Sequence, residues 1–235
     1  MGRKGRSMNS SKQYDIYERK SFGLYEEGKF LKIMKNLKCK ENAKIIDLAG
    51  GEGHFYDILS KYDKSYDYTL VDFSDKQIQK GRKKNIKVKN MDLSEKFNLN
   101  DKSYDVVLAS EIIEHIFDTR FFLSECYRIL ADREVFVLTT PNVASIGNRI
   151  GLLFGNRPGC IDFRVEKSSG HIRAFVRHEL YSLFEEVGFK IIKFTGQRIN
   201  LPFLNRRKRY YAINYHLGDF FPAMAVGFMV FATKT

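Results

Sequence analysis

Apolar residues along this chain fall in two spacings, short continuous runs and runs repeating every three to four positions, and the two alternate. KIIDL at 44–48, YTLVDF at 68–73, YDVVLAS at 104–110 and EVFVLTT at 134–140 are short, β-branched or aromatic, and read as strands buried on both faces. IKVKNMDL at 86–93 alternates apolar and polar residues as a further strand does. A helix is expected after Gly53, a polar surface helix in KQIQKGRKK, and a sheet-covering helix in FFLSECYRIL at 121–130. Five strands alternating with helices predict a doubly wound α/β fold with a largely parallel sheet. Residues 14–38 carry helical spacing interrupted by Gly23 and Gly28, which predicts two short helices or a broken one lying over the ligand site. After Pro141 and Asn142 the periodicity lapses until RHELYSLFEEVG at 177–188, an amphipathic helix ended by Gly188. The intervening 143–176 is read as a cap, and FKIIKFTG at 189–196 with MAVGFMVFATKT at 224–235 closes the sheet. The resulting organisation is a flexible basic tail at 1–13 and a single domain at 14–235, with cap elements at 14–38 and 143–176.

Composition narrows the class. With 43% hydrophobic and 29% charged residues in 235, the chain lies in the ordinary globular range. Cys39, Cys126 and Cys160 are widely separated, so neither a disulfide framework nor a zinc knuckle is indicated. The longest apolar stretch, FFPAMAVGFMVFAT at 220–233, contains a proline and falls short of a bilayer span. It reads as an internal strand. No apolar segment follows the basic N-terminus as in a secretory signal, and Arg6 stands where myristoylation needs Ser or Thr, so a cytoplasmic location is expected. A formal charge of +12 fits a polyanionic partner such as RNA, an anionic membrane surface or a phosphorylated substrate, or simply a lysine-rich solvated face. The densest basic tract is NRRKRYY at 205–211.

The candidate chemistry begins where the first strand ends. KIIDLAGGEGHF at 44–55 runs from an apolar strand into Asp47, Ala49, Gly50, Gly51 and Gly53. Side-chain-free positions at that place let backbone approach a ligand at the carboxyl edge of a parallel sheet. The dinucleotide spacing fails because its third glycine position, counted from Gly51 and Gly53, holds Tyr56, and no Gly-Lys-Ser/Thr triplet follows to make a P-loop. Asp72 ends the second strand, where a carboxylate can accept both ribose hydroxyl protons.

This pattern resembles motif I of class I S-adenosylmethionine-dependent methyltransferases, with Ala49 where that family usually has its first glycine. The blocks IIDLAGGEG, LVDFSD, NMDLSE, YDVVLASEIIEHI and VLTTPN extend the likeness over 40–235 and are similar to the ubiquinone-methyltransferase-like branch. The resemblance implies a seven-stranded, mostly parallel sheet with an antiparallel last strand. It also implies S-adenosylmethionine as cofactor, held by Asp47, Ala49, Gly50, Gly51, Gly53, Asp72, Phe73, Asp92, Leu93 and Ser110. Phe73 would lie on the adenine, with Asp92 accepting from its amine and the Leu93 backbone donating to it.

SEIIEHIFD at 110–118 follows the fourth strand at the edge where the methyl group would sit. On a helical turn Glu111 would project beside Glu114 and His115, and His171 can add a fourth ligand, a set suited to Mg²⁺ or Mn²⁺. The E-x-x-E-H pattern with a later histidine resembles two metal-using groups, polyprenyl-dihydroxybenzoate O-methyltransferases and small-RNA 3′-terminal 2′-O-methyltransferases. Both methylate one of two vicinal hydroxyls. His115 and His171 are therefore candidate catalytic residues, as ligands or as a base. His54 can line the cofactor pocket, His178 belongs to a helix start, and His216 is unassigned. The expected function is O-methylation of a small molecule, whether a glycan, a lipid-linked compound or a secondary metabolite. RNA 2′-O-methylation and a noncatalytic binding protein of the same fold are the alternatives.

Overall fold

The structure is a computed structural model that describes residues 24–37, 39–61, 65–161, 170–200 and 209–234. The tail at 1–13, the stretch 14–23, part of the cap at 162–169 and most of the 205–211 basic tract lie outside the described residues. Seven strands, β1 (Lys44–Leu48), β2 (Asp67–Asp72), β3 (Lys87–Asn90), β4 (Tyr104–Ser110), β5 (Leu130–Pro141), β6 (Phe189–Gly196) and β7 (Gly227–Lys234), form one sheet. Its order is β3-β2-β1-β4-β5-β7-β6. Strands β1 to β5 pair in parallel, and β7 is antiparallel to both β5 and β6, the arrangement expected.

Among the described residues seven helices accompany the sheet: α1 (Leu24–Asn36), α2 (His54–Leu59), α3 (Asp75–Lys83), α4 (Thr119–Ile129), α5 (Ile146–Leu153), α6 (Arg177–Val187) and α7 (Arg209–Phe220). Alternate strand residues feed two cores because successive side chains point to opposite faces. Ile46, Leu48, Val107 and Ala109 join Phe122 of α4 and Leu180 and Phe184 of α6 on one face. Ile45, Leu70, Val106, Leu108 and Val137 join Ile33 of α1 and Phe55 and Ile58 of α2 on the other. Each fully buried large apolar side chain contributes about 1.5–3 kcal/mol, so the two cores hold the sheet rigid beneath its carboxyl edge.

Local expectations change at three places. α1 runs unbroken through Gly28, where a Cβ would lie 2.6 Å from the Tyr215 ring of α7. That glycine marks a close helix crossing and not a break. The alternating run at 86–93 yields only β3, and 91–103 connect to β4 through turns with no helix. Asp92 there accepts from the Ser94 backbone N–H and hydroxyl, a side-chain turn that competes with both strand and helix. Finally, Glu111 sits at φ 54°, followed by a 3₁₀ turn at Ile113–His115. The α-helical geometry expected for 110–118 is therefore absent.

Candidate active site

The strands β1, β2, β4 and β5 end along one edge, and two clusters of polar groups stand there. The first surrounds the turn after β1. Ala49, Gly51 and Gly53 all adopt left-handed φ, at 58°, 59° and 74°. The turn is closed by Gly50 N–H to Val71 O at 3.1 Å and by Gly53 N–H to Gly50 O at 3.0 Å. Ala49 thus keeps the conformation a glycine would take there, at a cost of roughly 1 kcal/mol or more. A Cβ on Gly50 would come within 2.6 Å of the Asp47 carboxyl, whereas one on Gly51 meets nothing within 4 Å. Asp47 consequently lies beneath the turn, 1% exposed and accepting from the Tyr68 hydroxyl at 2.5 Å, while Gly51 borders open space. Burial first, and Asp47 second, push the Tyr68 phenol well above its usual pKa, so it remains a donor.

Asp72 faces the same turn. Its Oδ2 accepts from Gly51 N–H at 2.9 Å and its Oδ1 from Ser74 N–H at 2.8 Å. Two backbone donors fix the carboxylate in one orientation and leave lone pairs for further donors, the requirement for gripping a pair of hydroxyls. Phe73 is half-buried beside it, Leu93 is buried in the core, and Asp92 is half-buried past β3. His54 lies 3.6 Å from Asp57 on α2.

The second cluster gathers residues far apart in sequence. The Glu114 carbonyl accepts from the backbone N–H groups of Ile172 and Arg173 at 2.9 and 3.1 Å, which draws His171 to the site. Ligating atoms of Glu114, His115 and His171 all lie within 4.8 Å of one another, the group among the described residues with a metal-binding composition. His115 Nδ1 donates to the Gly170 carbonyl and His171 Nδ1 to the Cys160 carbonyl, each at 3.0 Å. Since a carbonyl can only accept, both rings are held in the tautomer that places a lone pair on Nε2. His171 Nε2 is 3.9 Å from Glu114 Oε1. Glu114, 1% exposed, accepts from Thr140 Oγ1 at 3.0 Å, and burial, with Glu111 nearby, raises its pKa to about 8. In the absence of a cation the carboxyl is therefore mostly protonated at neutral pH.

Glu111 does not join that triad, contrary to expectation. Its left-handed backbone turns Oε1 toward the sheet, where it accepts from Gln197 Nε2 at 2.7 Å and Thr139 Oγ1 at 2.8 Å, with Lys29 Nζ at 3.7 Å. Ser110 also belongs to this network, its hydroxyl 3.0 Å from that of Thr139. Lys29, Gln197, Thr139 and Thr140 had no distinguishing sequence signal: a lysine on a helix reads as solvated, yet Lys29 is fully buried. The Thr-Thr pair after the fifth apolar run was visible but carried no assignment.

A left-handed glycine turn gripping a carboxylate at the next strand's end, on a sheet of this order, defines the class: S-adenosylmethionine-dependent methyltransferases. The chain belongs to the methyltransferase-domain family, whose model matches residues 23–193. A probable S-adenosylmethionine-dependent methyltransferase of Mycolicibacterium smegmatis is 28% identical over 149 residues, 63% of this chain and 52% of that protein. The mitochondrial ubiquinone biosynthesis O-methyltransferase of Rattus norvegicus is 29% identical over 143 residues, 60% of this chain and 37% of that protein. The chain thus spans about half or less of the length of these curated relatives. A crystal structure of a SAM-dependent methyltransferase from Thermotoga maritima superposes with a TM-score of 0.66 at 19% identity, covering 96% of this chain and 98% of that one.

Proposed function

We propose that this methyltransferase transfers its methyl group to an oxygen of a small molecule bearing neighbouring hydroxyls, with a divalent cation held by Glu114, His115 and His171. The observation that supports this reading is the triad itself, two imidazoles in the ligating tautomer and a buried carboxyl whose negative charge needs a partner. Two imidazoles and one carboxylate suit Mn²⁺ better than Mg²⁺, which prefers an all-oxygen shell. Such a cation would supply Lewis acidity toward an acceptor hydroxyl, replacing a strong base.

The residues fit the donor as well. The open side of Gly51 admits a ligand to the backbone, and Asp72 presents its carboxylate to a ribose from the far side of the same turn. Bound S-adenosylmethionine supplies an electrophilic methyl on sulfur, so what the chain must add is alignment of the acceptor. Asp47 and Tyr68 hold the turn from below. Thr140 and the backbone of 172–173 hold Glu114, and the Gly170 and Cys160 carbonyls orient the two histidines. The likeness to ubiquinone biosynthesis O-methyltransferases favours an oxygen acceptor.

The test is formation of S-adenosylhomocysteine with a panel of catechols, with Mn²⁺ and with chelator. Metal-dependent turnover lost in His171→Ala would support the reading, and undiminished turnover in chelator would refute the metal. Methylation of short RNA, absent with every catechol, would move the acceptor to the RNA alternative.

A further inference from the structure

The carbonyl that orients His171 belongs to Cys160, which lies in the turns beyond α5, outside any helix or strand. A carbonyl in such a segment fixes a ring only as firmly as the segment itself is held. Asn148, half-buried in the first turn of α5, ties that segment to the sheet through both ends of its amide. Its Nδ2 donates to the carbonyls of Asn142 and Val143 at 3.3 and 3.0 Å, and its Oδ1 accepts from Gly159 N–H at 3.2 Å. The same Nδ2 stands 3.7 Å from Cys160 Sγ. Two carbonyls can only accept and a backbone N–H can only donate, so the amide has one orientation. The helix start does not call for this side chain, because Ser145 Oγ already accepts from Asn148 N–H.

The near end of the connection is rigid. Asn142 is 1% exposed, its Nδ2 donates to the carbonyls of Ala223 and Ala225 at 3.1 and 2.8 Å, and its N–H donates to Val226 O at 3.0 Å. Val143 N–H donates to Phe175 O at 3.2 Å. Asn148 thus hangs the Gly159–Cys160 turn on the end of β5, next to Thr140, which holds Glu114. His115 is oriented by a different segment, through the Gly170 carbonyl. The amide of Asn148 therefore stands behind His171 and not behind His115.

We propose that Asn148 is a positioning residue of the candidate cation site, keeping the lone pair of His171 Nε2 on the Glu114 side by way of the Gly159–Cys160 turn. It is no ligand itself, since its amide is spent on backbone groups. The consequence for Mn²⁺ rests on the metal reading above, whereas the orientation of His171 is a property of the metal-free protein.

Two readouts on the full chain test it. Imidazole ¹⁵N shifts of the metal-free protein at pH 8.5 report which nitrogen of each ring carries the proton. Wild type should show His115 and His171 both protonated on Nδ1. Asn148→Ala should move His171 toward a mixture of tautomers and leave His115 as it is. Its Mn²⁺ affinity should fall roughly tenfold, the lower end of the effect of losing a ligand's support, with S-adenosylhomocysteine affinity unchanged. Asn148→Asp sets a carboxylate against two carbonyls, should act in the same direction, and decides the matter if the alanine variant fails to fold. Arg149→Gln, a change at the next residue of the same helix, should move neither readout. A wild type that takes up no Mn²⁺ would refute the metal reading and leave the His171 tautomer to decide on Asn148. An unshifted His171 in the folded variants overturns the proposal even if wild type binds Mn²⁺. So does an equal shift in Arg149→Gln, which would assign the effect to α5 as a whole.

Discussion

The two halves of the sheet's carboxyl edge are built by different means. On the β1–β2 side the groups come from twenty-seven or fewer consecutive positions, from Asp47 to Phe73, and most of the holding is done by backbone N–H groups and left-handed turn geometry. On the β4–β5 side Lys29, Glu111, Glu114, Thr139, Thr140, His171 and Gln197 come from positions spread over the chain, joined by side-chain bonds and by backbone groups distant in sequence. A donor common to many enzymes can be gripped by a short local device. An acceptor particular to one enzyme needs a site assembled by the whole fold. The contrast extends to burial: Asp72 is half-buried and accepts from two backbone N–H groups, while Glu114 is buried and its pKa is raised to about 8.

The largest expected effect lies on the donor side. Asp72→Ala would remove the proposed acceptor of two ribose hydroxyls and should weaken S-adenosylhomocysteine binding roughly a hundredfold in calorimetry. It should leave Mn²⁺ binding unchanged, and a parallel loss of Mn²⁺ would erase the distinction between the halves.

Glu114→Gln should act in reverse, abolishing Mn²⁺ binding while retaining the donor. The variant should also change stability with a defined sign. The folded pKa of about 8 lies above the ordinary 4.5, so the folded state binds the extra proton between those values. The metal-free wild type therefore loses stability as pH rises from 4.5 toward 8 and levels off above. Glutamine removes that slope, and the metal-free variant should be more stable than wild type at pH 8.5 by about 1–3 kcal/mol in urea unfolding. Equal slopes in the two proteins would mean that Glu114 is not the buried proton carrier.

Lys29→Met should shift a midpoint more than it changes an affinity. Lys29 opposes the rise in the Glu114 pKa, so removing it raises that pKa further. The pH midpoint of Mn²⁺ uptake should move upward, with some loss of stability from leaving Glu111 without its cation at 3.7 Å. An unmoved midpoint would confine Lys29 to packing. The smallest effect belongs to Ala49→Gly, which relieves a left-handed alanine at φ 58° and should stabilise the fold by up to about 1 kcal/mol with no change in donor affinity.

What could be read from the sequence follows the same division. The strand positions and the glycine turn after β1 were legible because their signals are local: an apolar run, then side-chain-free positions, then an acid at the end of the next run. Ala49 departed from the family pattern in residue type and not in backbone. Glu114, His115 and His171 were legible as chemistry but not as geometry, since the pairing of Ile172 and Arg173 with Glu114 brings them together across 57 positions. Glu111 was misplaced because a helical turn was assumed where the chain takes a left-handed residue and a 3₁₀ turn. Gly28 was misread for a related reason, its neighbour Tyr215 being nearly the whole chain away. Lys29 illustrates the limit most plainly, as burial of a lysine depends on the carboxylate it meets and not on its own neighbours.

The most direct measurement is a calorimetric titration of Mn²⁺ into wild type and His171→Ala at pH 8.5, followed in the same samples by S-adenosylhomocysteine. Wild type should take up one Mn²⁺ per chain and His171→Ala none, with the same affinity for S-adenosylhomocysteine in both. Equal Mn²⁺ uptake by the two proteins, or none by wild type, would contradict a metal-holding triad standing apart from the donor turn.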